Sequence, residues 1–419
     1  MEQTPRKDVG AILLAGLSAL AMLVMLAGGA FALVSGIMKW QETNDATTSL
    51  LPAFLSLSAF ALAGALIGRG GLLALRRIQN KPIEPARIRP FSLWMGLALF
   101  GGWILSIVIA VFLHQKPILQ WFSLPFYLLS IGLPVYALTS MAAGGLGLGS
   151  KLRTWGTLST GMTLSPFLSI LAEGMVALIL LIIIAVFMGL DPGRLAAIHS
   201  GAGQLQNITS QEQAITLLAP LLANPLTLVG GLFFLSLVTP LVEEIAKSLP
   251  VWLGWRQLTS PAQGFALGAL SGAGFGLMEG LFVSTSPGET WGATLAVRAA
   301  SSSMHILTAG LAGWGIGKAA QQKRALPALG GYILSMSIHG IWNACVVIMV
   351  YASGRTILSG ASPDIVAALF AILALCFLGL LILGAPIALW AINHQLQKSL
   401  PVPPKIENTE TPLVENMVR

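Results

Sequence analysis

Charged residues are scarce in this sequence. Only 9% of its 419 residues are Asp, Glu, Lys or Arg, whereas 55% are hydrophobic, and the mean hydropathy is +0.81. Apolar stretches follow one another along the chain, and each is long enough to cross a hydrocarbon core of about 30 Å, which takes roughly 20 helical residues. We therefore expect an integral membrane protein.

Two further absences narrow the class. The apolar stretches do not alternate with polar residues, which argues against membrane strands and favours helices that satisfy their own backbone hydrogen bonds. Only two cysteines occur, Cys345 and Cys376, and both fall inside predicted spans, so we expect neither a disulfide framework nor a thiol metal site. The net charge of +7 does not indicate nucleic-acid binding, because the basic residues follow the membrane topology.

The hydrophobic runs predict an all-α fold, a polytopic transmembrane bundle of about ten spans. The predicted spans lie at about 11–34, 51–75, 91–113, 122–146, 163–189, 226–254, 262–284, 295–317, 327–352 and 365–391. Of the 23 Lys and Arg residues, 16 fall on one side of this arrangement and four on the other. Because positive charge accumulates on the cytoplasmic side, we expect a multi-pass protein of the cell membrane with both termini in the cytoplasm.

Two segments outside the spans have their own character. The longest outer loop, residues 190–225, includes "QEQAITLLAPLL", which is typical of a helix lying on the outer membrane surface. The polar, proline-containing residues 395–419 predict a disordered cytoplasmic tail.

A few ionisable residues remain inside the spans. Each charged side chain costs about 2.5–3.5 kcal/mol at mid-membrane on insertion scales, so such residues usually face a protein interior and mark a site. These residues are Arg69, Glu173, Glu243, Glu244, Lys247, Glu279, Arg298, His305 and His339. Arg69 lies near the inner end of its span and can extend its side chain to the interface. Glu173 is left open as an added site residue or a partner of Lys247.

Helical spacing groups the remaining residues. Lys247 follows Glu243 by four positions and Glu244 by three, so one ammonium can reach both carboxylates. At 1.5 Å per residue, Glu243, Glu244, His305 and His339 all fall near mid-membrane, with Asn343 one turn after His339. Glu279 and Arg298 fall nearer the outer surface and could form an ion pair that closes a helical hairpin. Glycines at 264, 268, 272, 276 and 280 predict close packing of the seventh span.

Four motifs in order carry a family resemblance. "EEIAK", "GFGLMEG", a single mid-span histidine and "HGIWN" resemble the PrsW family of intramembrane proteases, within the wider CPBP group that includes the CAAX-processing endopeptidases. The resemblance covers about residues 226–352. Gly280 stands where the family usually has asparagine, and the residues before His305 lack the phenylalanine common in CAAX-type members. The resemblance divides the chain into an N-terminal membrane region (1–215) of unknown function, a protease core (216–352), a last span (353–394) and the tail (395–419).

The resemblance implies a glutamate-dependent peptidase that hydrolyses membrane-embedded proteins or peptides. It implies that Glu243 and Glu244 are the paired glutamates, Lys247 the basic residue and Glu279 the later glutamate. Arg298, the expected ion-pair partner of Glu279, is predicted as a supporting residue. His305 is then the first histidine, and His339 with Asn343 forms the HxxxN motif. In our interpretation Glu243 activates water, Glu244 and Lys247 tune it, His305 positions the water, and His339 and Asn343 stabilise the oxyanion.

Other chemistries have less support in the sequence. The motifs GxSxG and HExxH are absent, and no GxGD aspartate lies in a span. No cofactor is required by the first mechanism. A zinc alternative uses Glu243 or Glu244 with His305 and His339 as ligands. A proton-coupled transporter and a non-enzymatic membrane scaffold remain as rival functions, since buried glutamate and histidine are also normal in carriers.

Overall fold

The chain is α-helical throughout most of its described length. The computed structural model describes residues 8–188, 211–360 and 364–400, and these ranges contain no β-strand, which confirms the all-α prediction. The helices of the first half are α1 (Val9–Thr43), α2 (Ala46–Ile78), α3 (Leu93–His114), α4 (Ser123–Ala143), α5 (Lys151–Met162) and α6 (Leu164–Met188). Those of the second half are α7 (Gln211–Leu222), α8 (Pro225–Phe233), α9 (Thr239–Leu253), α10 (Pro261–Val283), α11 (Trp291–Gln322), α12 (Leu326–Ser359) and α13 (Ile365–Lys398).

The helices agree with the predicted spans. Within the described ranges, nine helical segments are long and apolar enough to cross a membrane, and they correspond to nine of the ten predictions. The tenth prediction, 295–317, lies within the 32 residues of α11, which is long enough but less apolar because it carries Arg298, His305 and several serines. The chain is therefore a multi-pass membrane protein. The cytoplasmic placement of its termini stays a prediction.

Local sequence explains the largest departure from a simple span. The span predicted at 163–189 corresponds to α6, and a helix that was not predicted, α5, precedes it; the two meet at Thr163. Pro166 has no N–H to donate to the carbonyl of Met162, so a continuous helix would lose a hydrogen bond at this point. The segment 211–222 is helical as predicted. The last helix extends to Lys398, beyond the predicted boundary at 394, and residues 401–419 of the predicted tail lie outside the described residues.

The centre of the bundle is α10, the helix with the glycine ladder. In its most apolar stretch 78% of residues are buried, against 11% in α1 and in α13. A Cβ at Gly268 or Gly272 would collide with a backbone carbonyl of α11, that of Ala309 or His305 respectively. The two helices therefore touch through their backbones, as the four-residue spacing predicts.

The N-terminal helices pack directly on this centre. The backbones of α5 and α10 meet where a Cβ on Gly161 would collide with the carbonyl of Ser271. At the other end of α5, Arg153 donates to the carbonyls of Gly254 and Gln257, both at 3.0 Å, and so holds the turn after α9. Residues from the predicted N-terminal region thus contribute to the surroundings of α9 and α10. The predicted domain boundaries stay a prediction.

Candidate active site

The backbone of the helix that carries the paired glutamates is irregular at its start. Residues Phe234–Val238 form a π-helical turn between α8 and α9, and the N–H of Thr239 bonds the carbonyl of Phe234. The next donor in this register would be residue 240, which is proline and has no N–H. The carbonyl of Leu235 therefore lacks its helical partner. Such π-turns occur frequently at functional sites.

Asn343 supplies the missing hydrogen bond. Its Nδ2 donates to the Leu235 carbonyl at 2.7 Å and lies 3.4 Å from Nε2 of His339. The HxxxN motif therefore ties α12 to the irregular turn at the start of α9. Because an amide NH₂ group has two hydrogens, one remains directed toward His339.

A second proline loosens α9 at its other end, and side chains from neighbouring helices compensate. Pro250 cannot donate to the carbonyl of Ala246, and Ser165 of α6 donates to that carbonyl instead, at 2.8 Å. Ser271 of α10 donates to the carbonyl of Lys247 at 2.7 Å. These bonds fix the rotation of α9, which keeps Glu244 and Lys247 buried while Ile245 between them stays exposed.

Lys247 is the hub of the buried cluster. Its ammonium is fully buried and lies 2.7 Å from Oε2 of Glu243 and 2.9 Å from Oε1 of Glu244. Its third contact is Nδ1 of His305 on α11, at 2.8 Å. The ring of Phe275 lies below the ammonium, 4.4 Å from it to the ring centroid. The ammonium thus joins two carboxylates of its own helix to a histidine of another helix.

Glu244 holds the second histidine. Its Oε1 lies 2.9 Å from Nδ1 of His339 and accepts a 3.1 Å hydrogen bond from the hydroxyl of Thr308. The other oxygen, Oε2, is buried and has no hydrogen-bond partner among the described residues. Nε2 of His339 points toward Glu243, 3.9 Å from its Oε2. The rings of His305 and His339 are perpendicular, with centroids 5.3 Å apart.

Glu279 links the predicted outer ion pair to this cluster. Its Oε1 lies 2.7 Å from Arg298 and its Oε2 lies 2.8 Å from Nε2 of His305. The predicted pair of Glu279 and Arg298 is present, but Glu279 also orients a histidine of the site. An ammonium facing Nδ1 and a carboxylate facing Nε2 favour the neutral His305 tautomer that donates from Nε2.

All the residues expected at the site lie in one cluster. Glu243, Glu244, Lys247, Glu279, Arg298, His305, His339 and Asn343 form a continuous chain of contacts from α9, α10, α11 and α12. Sequence analysis missed Thr308 and Phe275, which contact Glu244 and Lys247. Thr308 follows His305 by three residues, so helical spacing could have found it; nothing in the pattern singles out Phe275.

A metal could be held by three of these side chains. One ligand atom each from Glu243, His305 and His339 lie within 4.8 Å of one another. One carboxylate with two imidazoles matches catalytic zinc sites, which use three protein ligands and leave a position for water. Each histidine is anchored by a carboxylate through its other nitrogen, His305 by Glu279 and His339 by Glu244, as is usual for metal-bound histidines. The donor set therefore fits, provided that the ammonium of Lys247 moves away from Glu243 and His305.

The comparison with protein families decides the class of this region. Residues 192–381 match the family described as PrsW family intramembrane metalloprotease. This region belongs to the PrsW family. No curated protein and no solved structure matches the chain. The resemblance seen in the four motifs is confirmed, and the match extends beyond the predicted 226–352; its residues 192–210 lie outside the described part of the structure.

The PrsW match indicates a class of activity and also whether the site uses a metal. It indicates an intramembrane hydrolase of the metalloprotease type, in a bilayer that also holds its substrates. The expectation that the site works without a cofactor is not supported by this description, whereas the zinc alternative is. The roles of individual residues stay predictions.

Proposed function

We propose that this protein hydrolyses peptide bonds of membrane-embedded proteins, and that the attacking water is activated at Glu243. The observation that carries the proposal is the convergence of two glutamates, a lysine and two histidines from three helices around one buried point. Of these five side chains Glu243 is the most exposed, at 14%, while Glu244 and Lys247 are at 0%. Glu243 is therefore the member of the cluster that is most open to its surroundings.

The hydrolytic step follows from this placement. Glu243 accepts a proton from water as the water oxygen attacks the carbonyl carbon of the scissile peptide. The carbonyl oxygen becomes an oxyanion, and the second amide hydrogen of Asn343 is the donor that we assign to it. The proton then passes to the peptide nitrogen, the C–N bond breaks, and a carboxylate and an amine are released. General-base catalysis of this kind contributes about 10²–10⁴-fold to a rate.

The neighbouring residues keep the base in position. Lys247 compensates the charges of Glu243 and Glu244, and its own position is fixed by His305 at 2.8 Å. Glu244 holds His339 with its ring nitrogen Nε2 toward Glu243. These contacts hold the groups in the reacting geometry before substrate arrives, which is the largest contribution of many enzyme sites.

A metal-assisted form of the same site is favoured by the family description and by the three donors. In that form Glu243, His305 and His339 hold the ion, which would make bound water more acidic and polarise the peptide carbonyl. Glu244, whose Oε2 has no hydrogen-bond partner in the described structure, would then be the carboxylate left to accept the proton of the water. Lys247 must withdraw, because its ammonium is 2.7 Å from Glu243 and 2.8 Å from His305.

Replacing Glu243 by glutamine tests the function. The substitution Glu243→Gln keeps the shape and removes the base, so we expect cleavage of a reconstituted membrane substrate to fall about 10³-fold. The variant should remain inserted and folded, as judged by its unfolding midpoint in detergent. Glu289→Gln, at an exposed loop glutamate, is the matched control and should cleave at the wild-type rate. Wild-type rates from both Glu243→Gln and Glu244→Gln would favour the transporter or scaffold.

A chelator separates the two forms of the site. In the metal-assisted form, activity is lost in the presence of a chelator and is restored by added zinc. If the free carboxylate alone activates water, the chelator leaves the rate unchanged. The same preparations should be analysed for bound metal, so that loss of activity through unfolding is recognised.

A further inference from the structure

Helix α6 presents a polar stripe to the helix of the paired glutamates. Ser165, Ser169 and Glu173 are spaced four residues apart, which places them on one face of α6. The bond from Ser165 to the carbonyl of Ala246 shows that this face is turned toward α9. The family match begins at residue 192, so α6 lies outside it.

The register of the two helices places this stripe beside Glu243. Ser165 pairs with Ala246, and Glu173 interacts electrostatically with Glu243 and Lys247 and lies beside Thr239. Residue numbers therefore increase along α6 while they decrease along α9, so the two helices are antiparallel. Ser169 lies midway between Ser165 and Glu173, which puts it level with Glu243.

The polar atoms along this contact are buried and lack hydrogen-bond partners. Within the described residues no hydrogen bond of good geometry is found for Ser169 Oγ, Glu173 Oε1 or Thr239 Oγ1, although the Glu173 carboxylate and the Thr239 hydroxyl lie close to each other. Ser169 is 3% exposed and Thr239 is 7% exposed. Glu243 Oε2 is likewise without a hydrogen bond of good geometry, although it forms the ion pair with Lys247. A buried polar group without a partner is destabilising, and ordered water commonly satisfies such groups.

We infer that α6 and α9 enclose a file of water molecules that leads to Glu243, with Ser169 and Glu173 as positioning residues for that water. At one end of the file Ser165 is buried and bonded to Ala246, whereas Glu173 at the other end is partly exposed, so water enters from the end at Glu173. Ser169, Glu173 and Thr239, together with the carboxylate of Glu243, give each water the two to four partners that it needs. That this water is used in hydrolysis rests on the proposed function, whereas the presence of water in the file does not depend on it.

Cysteine labelling tests the file without any activity. Ser169→Cys should react with 2-aminoethyl methanethiosulfonate, because the thiolate that reacts forms only where water is present. Ile170→Cys, at a neighbouring side chain 72% exposed on the outside of the bundle, faces lipid and should stay unmodified. Mass spectrometry of each variant against wild type corrects for Cys345 and Cys376. A lack of modification at residue 169, or equal modification at residue 170, would overturn the file.

Kinetics provide the second measurement. Ser169→Val and Glu173→Leu remove the polar lining, and we expect kcat to fall about tenfold with KM unchanged, since water supply and not substrate binding is affected. Glu173→Gln keeps a polar group and should retain most of the rate. If kcat falls as far in Glu173→Gln as in Glu173→Leu, a role of residue 173 in holding water is contradicted. If Ser169→Cys is labelled while the wild-type protein cleaves no substrate, the proposed function fails and the water file stands.

Discussion

The site contains two carboxylate–histidine pairs with the same chemistry in different surroundings. Glu244 and His339 are 2.9 Å apart, with side chains that are 0% and 2% exposed. Glu279 and His305 are 2.8 Å apart, but the carboxylate is 35% exposed and shares its charge with Arg298. Lys247 contacts one member of each pair, Glu244 and His305.

The difference in burial separates two tasks. A fully buried charge that loses its partner is costly, so the inner pair of Glu244 and His339 can tolerate little change. In the outer pair Glu279 also contacts Arg298, so the loss of His305 would not leave the carboxylate without a partner. Both pairs leave one histidine nitrogen turned toward Glu243 and Lys247, so each orients a ring. The inner pair therefore both orients the ring of His339 and stabilises the fold. The outer pair orients the ring of His305 and contributes less to the stability of the fold.

Neutralising the carboxylate of each pair should give the largest difference in the free energy of unfolding between the two pairs. Glu244→Gln leaves Lys247 with a single carboxylate and weakens the bonds to His339 and Thr308, so we expect a loss of about 3 kcal/mol in the free energy of unfolding. Glu279→Gln leaves Arg298 without a carboxylate, but Arg298 keeps its bond to Ser301 and Glu279 is partly exposed, so we expect a smaller loss of about 1 kcal/mol. Both should lower the cleavage rate. Denaturant unfolding in detergent micelles measures the difference, and equal losses would show that burial does not distinguish the pairs.

Much of this arrangement could be predicted from the sequence. The spans, the clustering of Glu243, Glu244, His305 and His339, and the link through Lys247 follow from hydropathy and helical spacing. These features depend on single helices and on depth in the membrane, both of which a sequence encodes directly.

The remaining features depend on how helices from distant parts of the chain are rotated against one another. Glu279 was expected to pair with Arg298 alone, and its second bond to His305 requires the close approach of α10 and α11. The position of Glu173 beside α9 depends on the antiparallel register of α6. The bond of Asn343 to Leu235 depends on a π-turn that Pro240 permits but does not by itself predict.

A methyl group at the contact of α10 and α11 should sharpen the comparison between the two pairs, because it displaces the helix that carries His305 and leaves the helices of Glu244 and His339 in place. In Gly272→Ala the new Cβ would collide with the carbonyl of His305, so α11 must shift away from α10. Overpacking costs about 1–3 kcal/mol, and a displacement of about 1 Å in a site can lower a rate about 10²-fold. The bond of Glu244 to His339 lies on α9 and α12 and should persist.

The matched control lies on the last helix. A Cβ at Gly384 of α13 meets no atom within 4 Å, so Gly384→Ala should leave the cleavage rate unchanged and the stability equal or slightly higher. Unfolding midpoints and cleavage rates of the two variants should be compared side by side. Similar behaviour of Gly272→Ala and Gly384→Ala would show that the backbone contact does not position His305.

The smallest effect is expected at Arg298. Arg298→Gln removes one partner of Glu279 but leaves His305 at 2.8 Å, so the carboxylate is not left alone and we expect a loss of less than about 1 kcal/mol and a rate within a few-fold of wild type. A plain ion pair would let Glu279→Gln with Arg298→Gln recover the stability of wild type. Because Glu279 also bonds His305, the double variant should instead stay as unstable as Glu279→Gln alone. A double-mutant cycle of unfolding free energies measures this directly, and full recovery in the double variant would mean that Glu279 serves Arg298 and not the histidine.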